Sequence, residues 1–351
     1  MEPTAKIGVL EYLRLKVLAT LLRIVIAPVL YLQNWQDLPE PKDERRQRIQ
    51  VPSRDPDRHI DAFLYSPLES SERSFDKLSK VPLLINWHSS GFVVPSLGTD
   101  RAFFAFIARA TNLFILDVDY RKAPEHPFPA AYHDMEDVIS WVTLNHEHFD
   151  ISRLIVSGFS AGGNLALEAA ALVGMANIGE ETNRGNATAD GLLAKAYIRA
   201  VVAVYPTTDL SLAPEARIAP CPIDPISPAM QSFFWDCYAP DPASRSDPRV
   251  SPAHIDPRFF SSNVAIVTCD GDNFHPEAAA FAKKLDDGVR RVVLCTLEGV
   301  GHGFDKGARQ GSYELQARQK MHDAIAAFLR TTPPNVKAEK TCPNHDANIT
   351  L

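Results

Sequence analysis

The sequence predicts an α/β fold with a mostly parallel central sheet covered by helices on both faces. Two observations carry that reading. Short apolar runs at 81–87, 113–118, 153–157, 200–205, 264–269 and 291–297 alternate with helix-patterned stretches at 102–110, 130–144, 161–173, 276–286 and 312–329. The runs are apolar at consecutive positions instead of every second one, as strands buried on both faces require. No internal repeat is visible.

The two ends and two interruptions complete the outline. Residues 46–66 read as two strands around the polar turn 52–57. Residues 176–192, rich in Asn, Glu, Thr and Gly, read as a surface insertion loop. The proline-dense stretch 206–262 holds an aromatic cluster, Phe233-Phe234-Trp235 and Tyr238. It fits either a lid over a pocket or an irregular loop with its own small core. The polar tail after Thr331 has the composition of a disordered segment.

A length of 351 residues suits one large catalytic domain with a modest accessory region. The 45% hydrophobic and 23% charged fractions are those of an ordinary soluble globular chain, not of a disordered one. A net charge of -7 argues against nucleic acid or an anionic membrane as the main partner. The five cysteines form no CxxC pair or Cys/His cluster, so neither a zinc site nor a disulfide framework is indicated. A reducing, cytoplasmic compartment fits that usage, and sequons at Asn186 and Asn348 are too common by chance to oppose it.

Residues 7–33 are apolar enough to suggest a membrane anchor, but Glu11, Arg14, Lys16 and Arg23 interrupt them and Pro28 breaks the last turns. No charge-free run approaches the roughly 20 residues of a spanning helix. The preferred reading is a helix packed on the protein, with shallow membrane contact as the alternative.

The chemistry centres on Gly158-Phe159-Ser160-Ala161-Gly162, which follows the apolar run 154–157 and opens an alanine-rich helix. A nucleophilic serine needs such a sharp strand-to-helix turn, exposed and close to a helix amino terminus. Gly158 and Gly162 fit because bulk at either place crowds the turn. Upstream, the loop His88-Ser89-Ser90-Gly91-Phe92 can offer backbone N–H groups to a developing oxyanion. Downstream, His302 stands between Gly301 and Gly303 after a late strand, where it can serve as base to Ser160. The acid must lie between them in the chain, and the loop 269–277 offers both Asp270 and Asp272. Position alone does not separate the two.

These pieces resemble the hormone-sensitive-lipase-like group of α/β-hydrolases, which includes plant and fungal carboxylesterases and arylacetamide deacetylase. His88–Phe92 matches the family's HGGGF, 119–125 its DYRLAPE, 158–163 its GDSAGG, and Gly301–Phe304 its last motif. Together they cover roughly residues 80–330. The family's acid is the first Asp of DPLxDE, so the resemblance selects Asp272. It also implies an α/β-hydrolase domain over 46–331, with a cap built from residues 1–45 and an insertion at about 208–247. Residues 332–351 would form a flexible tail.

Three departures stand out. Ser89 and Ser90 replace glycines, and serine keeps the N–H while suiting positive φ poorly. Phe159 replaces the usual Asp before the nucleophile, and Pro276 replaces an acidic residue. The element 119–125 is structural in the family, through ion pairs around Arg121.

The expected activity is hydrolysis of small-to-medium hydrophobic esters, with Ser160, His302 and Asp272 as triad and the N–H groups of Ser90, Gly91 and Ala161 as oxyanion donors. The expected pocket residues are His88, Phe92, Phe159, Phe233, Trp235 and Phe304. No metal or organic cofactor is needed. Acyl transfer, elimination or cyclisation of a specialised metabolite could use the same site. A ligand receptor of the gibberellin-receptor type would dispense with the histidine that stands here at 302.

Overall fold

The computed structural model describes residues 8–36, 46–67, 78–182 and 189–333. Eight strands form one sheet: β1 (Arg46–Pro52), β2 (His59–Tyr65), β3 (Leu83–Trp87), β4 (Phe114–Val118), β5 (Leu154–Phe159), β6 (Ile198–Val204), β7 (Asn263–Cys269) and β8 (Arg291–Leu297). Their order is β1-β2-β4-β3-β5-β6-β7-β8. The pairs β1/β2 and β2/β4 are antiparallel, and every other pair is parallel. Strands β3, β4, β5 and β7 are buried at every position, because helices cover both faces. Edge strand β8 is only partly covered.

The helices are α1 (Val9–Gln36), α2 (Arg101–Thr111), α3 (Ala130–Leu144), α4 (Ala161–Thr182), α5 (Ala189–Leu193), α6 (Pro228–Tyr238), α7 (His275–Leu285) and α8 (Tyr313–Thr331). Two cores lie on opposite faces of the sheet. One packs α3, α4 and α7 on it, and the other packs α2 and α8. Ser160, Asp272 and His302 follow the carboxyl ends of β5, β7 and β8, the end at which open α/β sheets bind ligands.

Two expectations need correction, and a third element, the short aromatic helix expected in 206–262, is present. Pro28 does not end α1, which runs on to Gln36; losing one N–H bond costs a helix less than abandoning its packing. The segment 176–192 is not a loop throughout, since α4 extends to Thr182 and α5 begins at Ala189; residues 183–188 lie outside the described ones. The stretch 206–262 holds α6 and four short 3-10 turns, each opened by a proline at its first position. The tail from 334 and the residues 37–45 lie outside the described residues.

Helix α1 lies across the carboxyl end of the sheet. It buries Leu15 and Ala19 and exposes much of its remaining apolar surface, including Leu21, Ile24 and Val25. Arg23, a charge that interrupts the apolar run, is its anchor. The guanidinium makes paired bonds of 2.8 Å to the Glu125 carboxylate and also donates to the carbonyls of Val93 and Ala123. Within the 119–125 element, Arg121 binds Asp134 and Asp55, as the resemblance implied. Among the described residues, no helix is long and apolar enough to cross a membrane.

Candidate active site

Ser160 occupies the turn between β5 and α4 with φ 53°, a left-handed conformation that non-glycine residues hold only under constraint. The constraint is local packing. Its N–H donates to the Val204 carbonyl, and its carbonyl accepts from Asn164 N–H in the first turn of α4. A Cβ at Gly162 would fall 1.9 Å from the Trp87 carbonyl oxygen, and one at Gly158 would fall 2.1 Å from that of Gly162. Only glycine lets the helix start this close to β3.

His302 Nε2 lies 2.9 Å from Ser160 Oγ, and His302 Nδ1 lies 2.7 Å from Asp272 Oδ2. A carboxylate can only accept, so Nδ1 carries the ring proton and Nε2 is left to accept from the serine hydroxyl. Asp272 is 1% exposed and also accepts from Phe274 N–H. Of the two carboxylates that position left open, Asp272 is the one that meets His302. Asp270 points elsewhere and accepts from Gly299 N–H, bracing the turn after β8. The imidazole is held by ring contacts with Tyr205 at 4.7 Å and Phe274 at 5.2 Å. Tyr205 in turn donates a 2.6 Å bond to Asp305, whose carboxyl burial pushes up to about 6.

The loop after β3 corrects one expectation. Its left-handed residues are Gly91 (φ 55°) and Phe92 (φ 61°), not Ser90. Serine therefore fits without strain at 90, and its side chain is put to use. Phe92 N–H donates to Ser90 Oγ at 2.8 Å, Ser90 Oγ lies 2.6 Å from Tyr120 Oη, and Tyr120 Oη donates to the His88 carbonyl. Tyr120 Oη thus accepts from Ser90, and the chain of bonds cross-links both ends of the loop. Among the described residues, none accepts from the N–H groups of Ser90, Gly91 or Ala161. Ser90, Gly91 and Ala161 line the same cavity as Ser160 and His302.

That cavity has a volume of about 210 Å³. Its roof is α1, through Ile26 and Leu30, and α6, through Gln231, Phe234 and Trp235. Of the expected pocket residues, Phe92 and Trp235 line it. His88 does not: it is fully buried, bonded to Asp119 and to the Ser89 carbonyl, and stacked on Tyr120. Phe159 is packed edge-on against Phe103 beneath the nucleophile. Phe304 packs against Tyr205 on the far side of the histidine loop. Phe233 faces a separate apolar groove between α1 and α6, with Leu18, Leu22 and Met230. Its neighbour Phe234 takes the expected place, its ring so close to Gly91 that a Cβ there would fall 2.9 Å from it. Phe274, Thr207, Ile226 and Gln231 are lining residues that motif reading missed. Phe274 alone had a signal, through its place beside Asp272.

The roof is fastened to the acid loop by Arg217. Its guanidinium lies over the rings of Trp235 and Phe274 and pairs with Glu277 on α7. Burial raises the Glu277 carboxyl to about 7 despite the opposing pull of Arg217. Among the described residues, no cluster of three or more His, Cys, Asp or Glu side chains could hold a metal ion.

Comparison with known proteins places this geometry. A family model described as the alpha/beta hydrolase fold matches residues 84–306. Tuliposide B-converting enzyme 1 of Tulipa gesneriana is 26% identical over 270 residues, which are 71% of this chain but only 56% of that enzyme's own length. Ethyl acetate hydrolase of Pseudomonas putida is 29% identical over 250 residues, 70% of this chain and 72% of the relative. An esterase structure from Pyrobaculum calidifontis superposes with a TM-score of 0.71 at 24% identity, covering 90% of this chain and 94% of that one. With the motifs, the sheet order and the matched family model in agreement, the chain belongs to the hormone-sensitive-lipase-like, carboxylesterase-related family of α/β-hydrolases.

Proposed function

We propose that the protein is a serine esterase that cleaves small hydrophobic carboxylic esters through an acyl-enzyme. The observation that carries this is the unbroken line Asp272–His302–Ser160, with bonds of 2.7 and 2.9 Å, opening on a mostly apolar cavity. His302 takes the Ser160 proton as the oxygen attacks the ester carbonyl, while Asp272 holds the imidazole in the required tautomer. The N–H groups of Ser90, Gly91 and Ala161 receive the oxyanion, and the bond from Ser90 Oγ to Tyr120 keeps the loop that carries two of them in place. His302 then returns the proton to the leaving alcohol, and water releases the acyl group by the reverse sequence. The bonds formed and broken need neither metal nor organic cofactor.

The names of the relatives support this reading, since one hydrolyses ethyl acetate and another converts tuliposide B. The second also supports an ester of a specialised metabolite as the natural substrate. We assign a cap role to α1 and α6, on the strength of their side chains in the cavity roof.

A fluorophosphonate probe should label Ser160 and no other serine. Ser160→Ala should abolish labelling and lower turnover of ethyl butyrate by roughly 10³-fold or more, with an unchanged melting curve. Full activity in the variant would refute the assignment.

A further inference from the structure

Four side chains that do not line the cavity close a circuit between the nucleophile elbow and the histidine turn. Phe159 immediately precedes Ser160, and Tyr205 immediately follows Val204, whose carbonyl accepts the Ser160 N–H. Asp305 and Lys306 lie in the short 3-10 turn Phe304–Gly307 that follows His302. The Tyr205 hydroxyl donates to Asp305 Oδ1 at 2.6 Å, and Asp305 Oδ2 lies 3.1 Å from Lys306 Nζ. Lys306 Nζ in turn sits 4.2 Å from the centre of the Phe159 ring, and the Phe159 and Tyr205 rings meet at 5.8 Å. Phe159, Tyr205 and Asp305 are buried. Lys306 keeps 14% of its side chain exposed and also pairs with buried Asp100, just ahead of α2.

Ser160 and His302 are 142 residues apart in the chain, yet the proton must pass between them over a single hydrogen bond. A misplacement of about 1 Å can cost roughly 10²-fold in rate. One bond to a rotatable hydroxyl does not hold an imidazole that closely, and the glycines on either side of His302 stiffen its backbone little. The circuit supplies the missing constraint. An ammonium is attracted to an aromatic face, the more so where water is excluded, and its pairs with carboxylates strengthen there as well. The Tyr205 ring also meets the imidazole at 4.7 Å, so a ring anchored through its hydroxyl passes its position on to His302. We infer that Lys306 and Tyr205 are positioning residues: they clamp the His302 turn to the nucleophile elbow and set the distance between Ser160 and His302 from behind. This role rests on the esterase triad proposed above.

Two reactions of Ser160 make the test. Fluorophosphonate labelling needs the attack assisted by His302 but no ester specificity, whereas ester turnover needs both. Tyr205→Phe removes one oxygen, and Lys306→Met removes the cation at similar length. Each should slow labelling and lower kcat for ethyl butyrate by about tenfold, with KM within about twofold, at temperatures well below the Tm of the variant. Lys306→Arg keeps a cation that can lie over Phe159 and should recover most of both rates. Since the two residues act through one circuit, the double variant Tyr205→Phe/Lys306→Met should lose far less than the product of the single losses. Should Lys306→Met fail to melt cooperatively, Phe159→Leu takes its place, removing the ring face while keeping an apolar side chain. Labelling and kcat within about twofold of wild type in these variants, whatever their Tm, would overturn the inference by showing that the circuit only stabilises the fold. A rise in KM with labelling unchanged would overturn it too, by placing the circuit in substrate binding. A wild-type protein that is labelled at Ser160 yet hydrolyses no ester would overturn the esterase reading, and the labelling rates would still decide the clamp.

Discussion

The floor of the cavity, at the carboxyl ends of β5 and β7, and its roof, made by α1 and α6, follow different packing rules. On the floor the strands are buried at every position, Ser160 and Asp272 are almost fully enclosed, and the glycines of the elbow leave no room for a methyl group. The roof is looser. Among its described side chains, helix α1 fully buries only Leu15 and Ala19, while Leu21, Ile24 and Val25 are 55%, 63% and 66% exposed. The contrast separates two demands. Bond-making needs groups held to a fraction of an ångström by rigid elements, whereas choosing among esters needs a surface whose side chains can differ without disturbing that alignment.

If this division holds, substitutions on the floor should change rate and those on the roof should change preference. Asp272→Asn should lower kcat by roughly 10⁴-fold, because the amide no longer fixes the histidine tautomer. Asp270→Asn, which touches only the turn at Gly299, should cost within a few-fold. Steady-state kinetics of the pair make the test, and equal losses would break the assignment. On the roof, Phe234→Ala enlarges the cavity and should raise the hexanoate-to-acetate ratio of kcat/KM several-fold, at ~0.8 kcal/mol per methylene accommodated. Phe233→Ala, in the outer groove, should leave the ratio unchanged. A shift in both variants would mean that groove and cavity act as one.

The smallest expected effect lies beneath the oxyanion loop. Asp117 on β4 is fully buried, accepting from Asn86 Nδ2 and Gly98 N–H, and burial raises its carboxyl from the ordinary 3.8 to about 7. Its folded-state value exceeds the unfolded one. The stability tied to the neutral acid is therefore complete below about pH 4 and lost as pH rises through about 7. Asp117→Asn removes that dependence, so Tm of the variant relative to wild type should climb between those two values. A constant difference would show that Asp117 is already ionised in the fold.

The floor was far more legible in the sequence than the roof. Ser160 and His302 announce themselves through neighbours in the chain: an apolar strand, glycines and a helix start within a few residues. The acid was only half legible, since Asp270 and Asp272 both follow β7 and differ in which way their side chains leave the turn. The roof depends on rotation. Phe233 and Phe234 are adjacent in sequence but about 100° apart around α6, and composition does not say which one faces Ser160. Gln231 and Thr207 carry no motif at all. Their place in the cavity wall emerges only once α6 returns over the sheet.

The four bonds made by Arg23 have a consequence for where α1 can reside. A guanidinium at the centre of a bilayer costs at least roughly 2.5–3.5 kcal/mol, and here it would also surrender the Glu125 carboxylate and two carbonyls. Roofing the cavity and entering the hydrocarbon are therefore exclusive states of one helix, with Arg23 as the latch that favours the first. What the latch leaves in place is an outer apolar face of α1, where Leu21, Ile24 and Val25 stay exposed while Arg23 holds Glu125.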